Sequence, residues 1–338
     1  MFFWPPTRRA IISILLFSIL LIVSLIIQTT KVLPPEPVKL PKRPVIFSNR
    51  SLNIEDRILS TDDVSILCLN MADYIDQEQF IPKSPIIFSP TFQTPRVFRF
   101  PYRYSSWRSS TTLPRALTTC EHNLAMHLLI IIDRMCRRHS ITYFMSEGTL
   151  LGSIRHHDII PWDDDIDVMM SEDNRQLFTD ELYKMNSTLL NFVVVGGSTK
   201  EKQYYKLSFK SSPSAGGYKW NFPFVDVFFY TQNDTYLWNV KYPDTISKIK
   251  HVFPLILRPL GQLWLPSPRK PERFFRFEWS TECVGHFWDH RVERGKTQVK
   301  VNCDELKDVY PFVEQNNRTE MSEVLKLNDT ILHTIIFK

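Results

Sequence analysis

The chain has 338 residues, 43% of them hydrophobic and 13% aromatic, with nine glycines and a formal net charge of +5. That length allows one large domain or two small ones, with enough apolar material for a sizeable core. The basic residues are spread along the chain, so they read as solvated surface and exclude a nucleic-acid partner.

Ala10 to Gln28 carries no charge and is rich in Ile and Leu, about the length a helix needs to cross a bilayer. Arg8 and Arg9 precede it and favour a cytoplasmic N-terminus, although Lys31, Lys39, Lys42 and Arg43 follow. Ser24 to Thr30 offers no small-residue cleavage site, so an uncleaved signal anchor is expected in preference to a cleaved signal peptide. Residues 1–9 are then a cytoplasmic tail and 10–28 the membrane helix of a single-pass type II protein facing the Golgi or ER lumen. Glycosylation sequons at Asn49, Asn186, Asn233, Asn317 and Asn328 are consistent with that side of the membrane.

Residues 29–112 hold nearly half of the 23 prolines and no glycine, and predict an extended membrane-proximal stem. Within it Val64–Leu69 and Pro85–Phe88 are apolar enough for short strands. The pattern changes near Leu113, where a domain over 113–338 is expected to begin. Leu124, Leu128, Ile131 and Met135 recur at helical spacing, predicting one amphipathic helix over Ala116–His139. Ile141–Met145 is a strand by its β-branched and aromatic content, followed by glycine and a loop to Pro161. A strand at Ile166–Met170, a helix at Glu172–Met185, and strands at Asn191–Val195, Tyr204–Phe209 and Phe224–Tyr230 complete an α+β pattern.

The chemistry concentrates between Glu147 and Val168, in the runs Gly148-Thr149-Leu150-Leu151-Gly152-Ser153-Ile154-Arg155-His156 and Ile160-Pro161-Trp162-Asp163-Asp164-Asp165-Ile166-Asp167. On a strand, Asp165 and Asp167 share one face and Ile166 turns into the core. Two carboxylates on one face can hold Mg²⁺ or Mn²⁺ and leave positions for phosphate oxygens. Asp226, flanked by apolar residues, is costly there unless paired or metal-bound, and is the natural third carboxylate. Gly148 and Thr149 follow a strand, where a turn can offer backbone N–H groups to a phosphate. Arg155 is placed for a bidentate phosphate contact. The plainer alternative is a solvated acidic turn. A calcium loop starting at Asp163 fails, because Val168 stands where glycine is needed and Asn174 where the bidentate glutamate belongs. Trp162 fits packed core better than base stacking, and His156 fits a phosphate contact or a loop cap equally.

The run GTLLGSIRH…IPWDDDID resembles the LicD family, which includes the fukutin and fukutin-related proteins, and the resemblance extends from about Leu113 to the C-terminus. It implies a nucleotidyltransferase-like mixed sheet with flanking helices. It also implies that Gly148 and Thr149 form the phosphate turn, that Asp165 and Asp167 bind metal, and that Asp226 supplies the third carboxylate. His157 and Asp158 depart from the family pattern, which has a glycine near Asp158. The implied reaction moves a phospho-linked group, such as phosphocholine or ribitol phosphate, from a CDP-activated donor to a glycan hydroxyl. Asp226 could there bind metal or take the hydroxyl's proton. A nucleotide-sugar glycosyltransferase with an Asp-x-Asp site, and a non-catalytic glycan-binding protein, are the alternatives. No Walker A, GxGxxG, HExxH or GxSxG motif competes.

Of five cysteines, Cys283 and Cys303 are the expected local disulfide, while Cys120 and Cys136 are too far apart on one helix to bond. Cys283, His286, His290 and Cys303 also have zinc-like spacing, a reading that the oxidising lumen disfavours. Phe274, Phe275, Phe277, Trp279, Phe287 and Trp288 are expected in the core.

Overall fold

The computed structural model describes residues 86–88, 108–185, 189–199, 202–274, 281–316 and 321–337, all within the compact unit Leu52–Lys338. The expected anchor, Val64–Leu69 and the sequons at Asn49, Asn186 and Asn317 lie outside these residues. No described helix is long and apolar enough to cross a membrane. Asn233 and Asn328 are exposed.

Ile86–Phe88, inside the expected stem, is strand β1. The long run without proline or glycine forms α1, Thr119–Arg138, opened by a capping box. The Glu121 N–H donates to Thr118 Oγ1 (3.2 Å) and the Thr118 N–H to Glu121 Oε2 (2.7 Å), so two donors at this end are satisfied reciprocally. The helix differs from the amphipathic expectation. His122 through Asp133 are buried without a break, because α1 runs through the middle of the molecule rather than along its surface.

The central sheet follows. Strand β2 is Tyr143–Met145, helix α2 Glu147–Arg155 and strand β3 Asp167–Ser171. A 3₁₀ turn, Glu172–Asn174, leads into α3, Arg175–Lys184. Strands β4 (Leu190–Val195), β5 (Tyr204–Phe209), β6 (Phe224–Gln232), β7 (Tyr236–Asn239) and β8 (Ile246–Lys248) complete it. The order is β2-β3-β6-β5-β4, with β7 paired to the far end of β6 and β8 to β7. Every pairing is antiparallel except β3 with β6. This is a mixed sheet with flanking helices, as the resemblance implies.

A short helix α4 (Ile249–Val252) precedes the hairpin of β9 (Ile256–Leu260) and β10 (Leu263–Ser267), and α5 is Pro271–Phe274. Strand β11 (Glu282–Val284) pairs with β14 (Lys300–Asn302), and between them β12 (Trp288–Asp289) pairs with β13 (Arg294–Gly295). The chain ends in β15 (Phe312–Asn316), β16 (Met321–Leu327) and β17 (Thr330–Phe337), forming a second sheet in which β1 lies parallel to β17. The expected Cys283–Cys303 disulfide is present, and it packs in a satellite core with Trp162, Tyr310 and Phe312. Cys136 is free and buried.

The expected loop after Gly148 is a correction: residues 147–155 are the helix α2. Its glycines are there for close approach, not to break the helix. A Cβ on Gly152 would sit 2.5 Å from the Asp158 carbonyl oxygen and 2.9 Å from the Ile160 nitrogen. Both obstacles are backbone, so Gly152→Ala is expected to cost about 3 kcal/mol of overpacking. The gain of about 1 kcal/mol in helix propensity offsets only part of that. A urea midpoint equal to or above the parent's would refute this packing account.

Candidate active site

The sheet register assembles a polar row across three strands. In the parallel β3–β6 ladder Asp167 lies directly opposite Asp226, and in the antiparallel β5–β6 ladder Lys206 lies directly opposite Asp226. Residues paired across a sheet point to the same face, so Asp167, Asp226 and Lys206 stand side by side. The Lys206 ammonium donates to both Asp226 oxygens at 2.9 Å, and its cationic end also sits 3.4 Å above the Phe224 ring. Lys206 and Asp226 are both buried, so each needs the other.

Asp165 lies just before β3 rather than on it, and Ile166 between the two aspartates is buried as expected. Asp163, Asp165, Asp167, Asp226 and Glu147 all line one cleft of about 960 Å³. Glu147 opens α2 with φ +44°, a left-handed conformation that costs a non-glycine residue of order 1 kcal/mol or more. Gly148 also lines this cleft. A Cβ there would fall 2.6 Å from Asp163 Oδ2, so any larger residue would push the Asp163 carboxylate out of its present place. Thr149 differs from the expectation, because it is buried behind the cleft. Its hydroxyl accepts a hydrogen bond from the Asp167 N–H (2.7 Å) and so fixes the start of β3. Arg155, in the last turn of α2, lines the cleft, and burial pushes its pKa down. Its described polar contact is a 3.8 Å approach of Nη1 to Cys283 Sγ.

The carboxylates perturb one another strongly. Burial, then the neighbouring charges of Asp165 and Asp226, raises Asp167 well above the ordinary carboxylate range. Asp163 is raised by burial and by Asp165, and Glu147 by burial and by Asp165. Asp226 is pushed up to about 6 by burial, against the pull of Lys206. Asp165 goes the other way: burial opposes its ionisation, but His290, whose Nε2 lies 3.3 Å from Oδ2, holds its pKa down. So many acids sharing one buried face, with Lys206 and, when protonated, His290 beside them, suit a divalent cation chelated by oxygen. Perturbed carboxylates in a cleft also mark a functional-site candidate on physical grounds.

Several expectations around the site change. His156 is buried, with Nδ1 2.7 Å from the Pro311 carbonyl oxygen, and stacks edge-on against Trp162. Both are packing residues, as expected for Trp162. The left-handed residue of the loop is His157 (φ +54°), one position before Asp158. The cysteine–histidine zinc reading fails because Cys283 and Cys303 bond to each other. Phe274 is core, but Phe287 is 59% exposed and Trp288 lines the cleft. Phe275, Phe277 and Trp279 lie outside the described residues. Sequence reasoning missed Lys206 and Glu147 as site residues, and it gave His290 the wrong companions. For Lys206 the signal was available: a lysine between Tyr205 and Leu207 on an apolar strand poses the same burial problem that singled out Asp226.

Comparison with known proteins meets this geometry. Residues 140–270 match the family model LicD/FKTN/FKRP, nucleotidyltransferase domain. The lipopolysaccharide cholinephosphotransferase LicD of Haemophilus influenzae is 45% identical over 67 residues, which are 20% of this chain and 25% of that protein. An uncharacterized protein of Rickettsia prowazekii is 49% identical over 41 residues, 12% of this chain and 15% of that one. The chain thus matches a quarter or less of the length of these relatives. The matched span, 140–270, carries β2, α2, β3, β5 and β6 and so every residue of the acidic row, and over that span the chain is similar to the LicD family.

Proposed function

We propose that this protein transfers a phospho-linked group from a CDP-activated donor to a hydroxyl of a glycan, acting in the secretory lumen from a type II membrane anchor. The observation that carries the reading is the row Asp167–Asp226–Lys206 beside Asp165, in a cleft that Arg155 and the first turn of α2 also line. Phosphoryl-type transfer asks a protein for positioning and charge neutralisation more than for covalent chemistry. Asp165 and Asp167 would hold Mg²⁺ or Mn²⁺, with Asp226 as the third carboxylate, and the excess of buried carboxylate over nearby cation fits such an ion. When bound, it would neutralise charge on the donor's diphosphate. Arg155 offers a fixed guanidinium fork to a phosphate, and the α2 terminus adds a partial positive charge at Gly148. Asp226, pushed up to about 6, is also close to the protonation range of a general base at neutral pH.

The test is titration of the full chain with CDP, UDP and GDP, with and without Mn²⁺, beside an Asp165→Asn/Asp167→Asn variant. Metal-dependent CDP binding, weakened at least about tenfold in the variant, is the expected result. A preference for UDP or GDP favours sugar transfer instead. No metal-dependent nucleotide binding by the folded parent sinks the enzymatic reading.

A further inference from the structure

Three side chains next to the acidic row have no role in the reaction just proposed. Asp164, His286 and His290 each bring one ligand-type atom within 4.8 Å of the other two. Asp164 does not line the cleft that Asp163, Asp165 and Asp167 share, whereas His286 and His290 stand at its wall. We propose that these three residues form a second cation site, which takes a borderline transition ion of the Zn²⁺ class.

The first support is unmet polar demand. Asp164 is only 3% exposed, and its Oδ1 is buried without a hydrogen-bond partner. The other oxygen accepts from the His290 backbone N–H at 2.9 Å. A buried carboxylate oxygen left bare is costly, and a cation would remove that cost. His290 is in a similar state. Neither ring nitrogen makes a directed hydrogen bond; Asp165 Oδ2 lies 3.3 Å from Nε2, and Glu293 Oε2 4.0 Å from Nδ1.

The second support is the outer shell. His286 Nδ1 lies 3.0 Å from the Trp288 carbonyl oxygen and 3.2 Å from the Trp288 backbone nitrogen, the carbonyl being the shorter contact. In the tautomer where Nδ1–H donates to that carbonyl, Nε2 presents its lone pair to a metal. Metal-binding histidines nearly always donate their other N–H in this way, which fixes the ring. The scaffold is also braced. The Cys283–Cys303 disulfide lies just before His286. Just after His290, the Arg291 guanidinium donates to both Glu121 oxygens at 3.0 and 2.8 Å and to the Ala116 carbonyl oxygen.

Donor chemistry separates the two sites. An all-carboxylate set suits Mg²⁺ or Mn²⁺, whereas two imidazoles with one carboxylate suit Zn²⁺. Three protein ligands leave a fourth position open. A bound ion would tie the segment 286–290 to the aspartate loop at the edge of the cleft. The proposal stands whether or not the transfer reaction is correct.

The full chain, stripped with chelator, is titrated with Zn²⁺ in excess Mg²⁺, and separately with Co²⁺ to follow its visible ligand-field bands. The variants are His286→Ala, Asp164→Asn (which retains an acceptor for the His290 N–H) and Asp165→Asn/Asp167→Asn, with near-UV circular dichroism confirming the fold of each. One Zn²⁺ per chain is expected in the parent and in the double variant. His286→Ala and Asp164→Asn should each weaken it by at least the roughly tenfold that loss of even an outer-shell partner costs, and should lose the Co²⁺ bands. Three results would overturn the site: no stoichiometric Zn²⁺ in the parent, undiminished binding in folded His286→Ala and Asp164→Asn, or loss confined to the double variant, which assigns the ion to the acidic row.

Discussion

A Lys206→Met variant is expected to lose about 3–5 kcal/mol of folding stability at pH 7.5, the cost of removing one partner from a buried ion pair. Both Asp226 oxygens depend on the Lys206 ammonium, and methionine fills the space without supplying a cation. The cost depends on pH in a defined direction. Asp226 is already raised to about 6, above the ~3.9 of an unfolded aspartate. The folded chain therefore binds more protons through that window, and stability falls as pH rises through it. Without Lys206 the folded pKa climbs further, so the deficit against the parent should be larger at pH 8 than at pH 5. Pairing the change with Asp226→Leu should recover most of the loss, since no charge is then left alone. Urea denaturation at the two pH values decides it. A Lys206→Met variant within about 1 kcal/mol of the parent at pH 8 would mean that water or another group already solvates Asp226.

Glu323→Leu is expected to destabilise by a similar 3–5 kcal/mol, a fall of roughly 10 °C in Tm for a domain of this size. Glu323 on β16 accepts from Arg258 Nη2 on β9 at 2.7 Å and from His157 Nε2 at 2.9 Å, and Nδ1 of His157 lies 2.7 Å from His333 Nε2 on β17. All four side chains are buried. Arg258 Nη2 also reaches the Ser153 carbonyl on α2 at 3.4 Å, so this cluster fastens the C-terminal sheet to the helix that carries Gly148. Leucine at 323 leaves the Arg258 guanidinium without its carboxylate in the interior. Arg258→Met together with Glu323→Leu should restore much of the loss. A single variant as stable as the parent by thermal melting would show that the cluster is not held as an ion pair.

The features legible in the sequence were those whose cause is local. Strand β5 matches its expectation at both ends, because Gly196-Gly197 and a polar stretch bound a run of aromatic and apolar residues. Helix α1 was evident from apolar spacing and the absence of breakers, though its burial on every side was not, since that depends on what packs around it. Helix α2 was missed because Gly148 and Gly152 count against a helix by propensity. They are there because Asp163 and the 158–160 backbone press against them. The aspartates announced themselves by clustering. Lys206 and Glu323 did not, since their partners lie 20 and 65 residues away in sequence and meet only through strand register and sheet packing. His286 and His290 stood out by spacing, but the spacing suggested the wrong companions, because Asp164 arrives from a distant loop.

The single parallel ladder of the central sheet has a consequence for how this site can change. Asp167 and Asp226 are set apart by the hydrogen-bonded strand spacing of about 4.8 Å, a lattice constant that no side chain nearby can alter. A register slip of one residue would turn either strand's acidic face into the core, so the pair is held all or none. The long crossover between the two strands has no part in setting that distance. Outside α3, β4 and β5, which pack into the core or the sheet, the turns of that crossover can lengthen or shorten around an immovable acidic row.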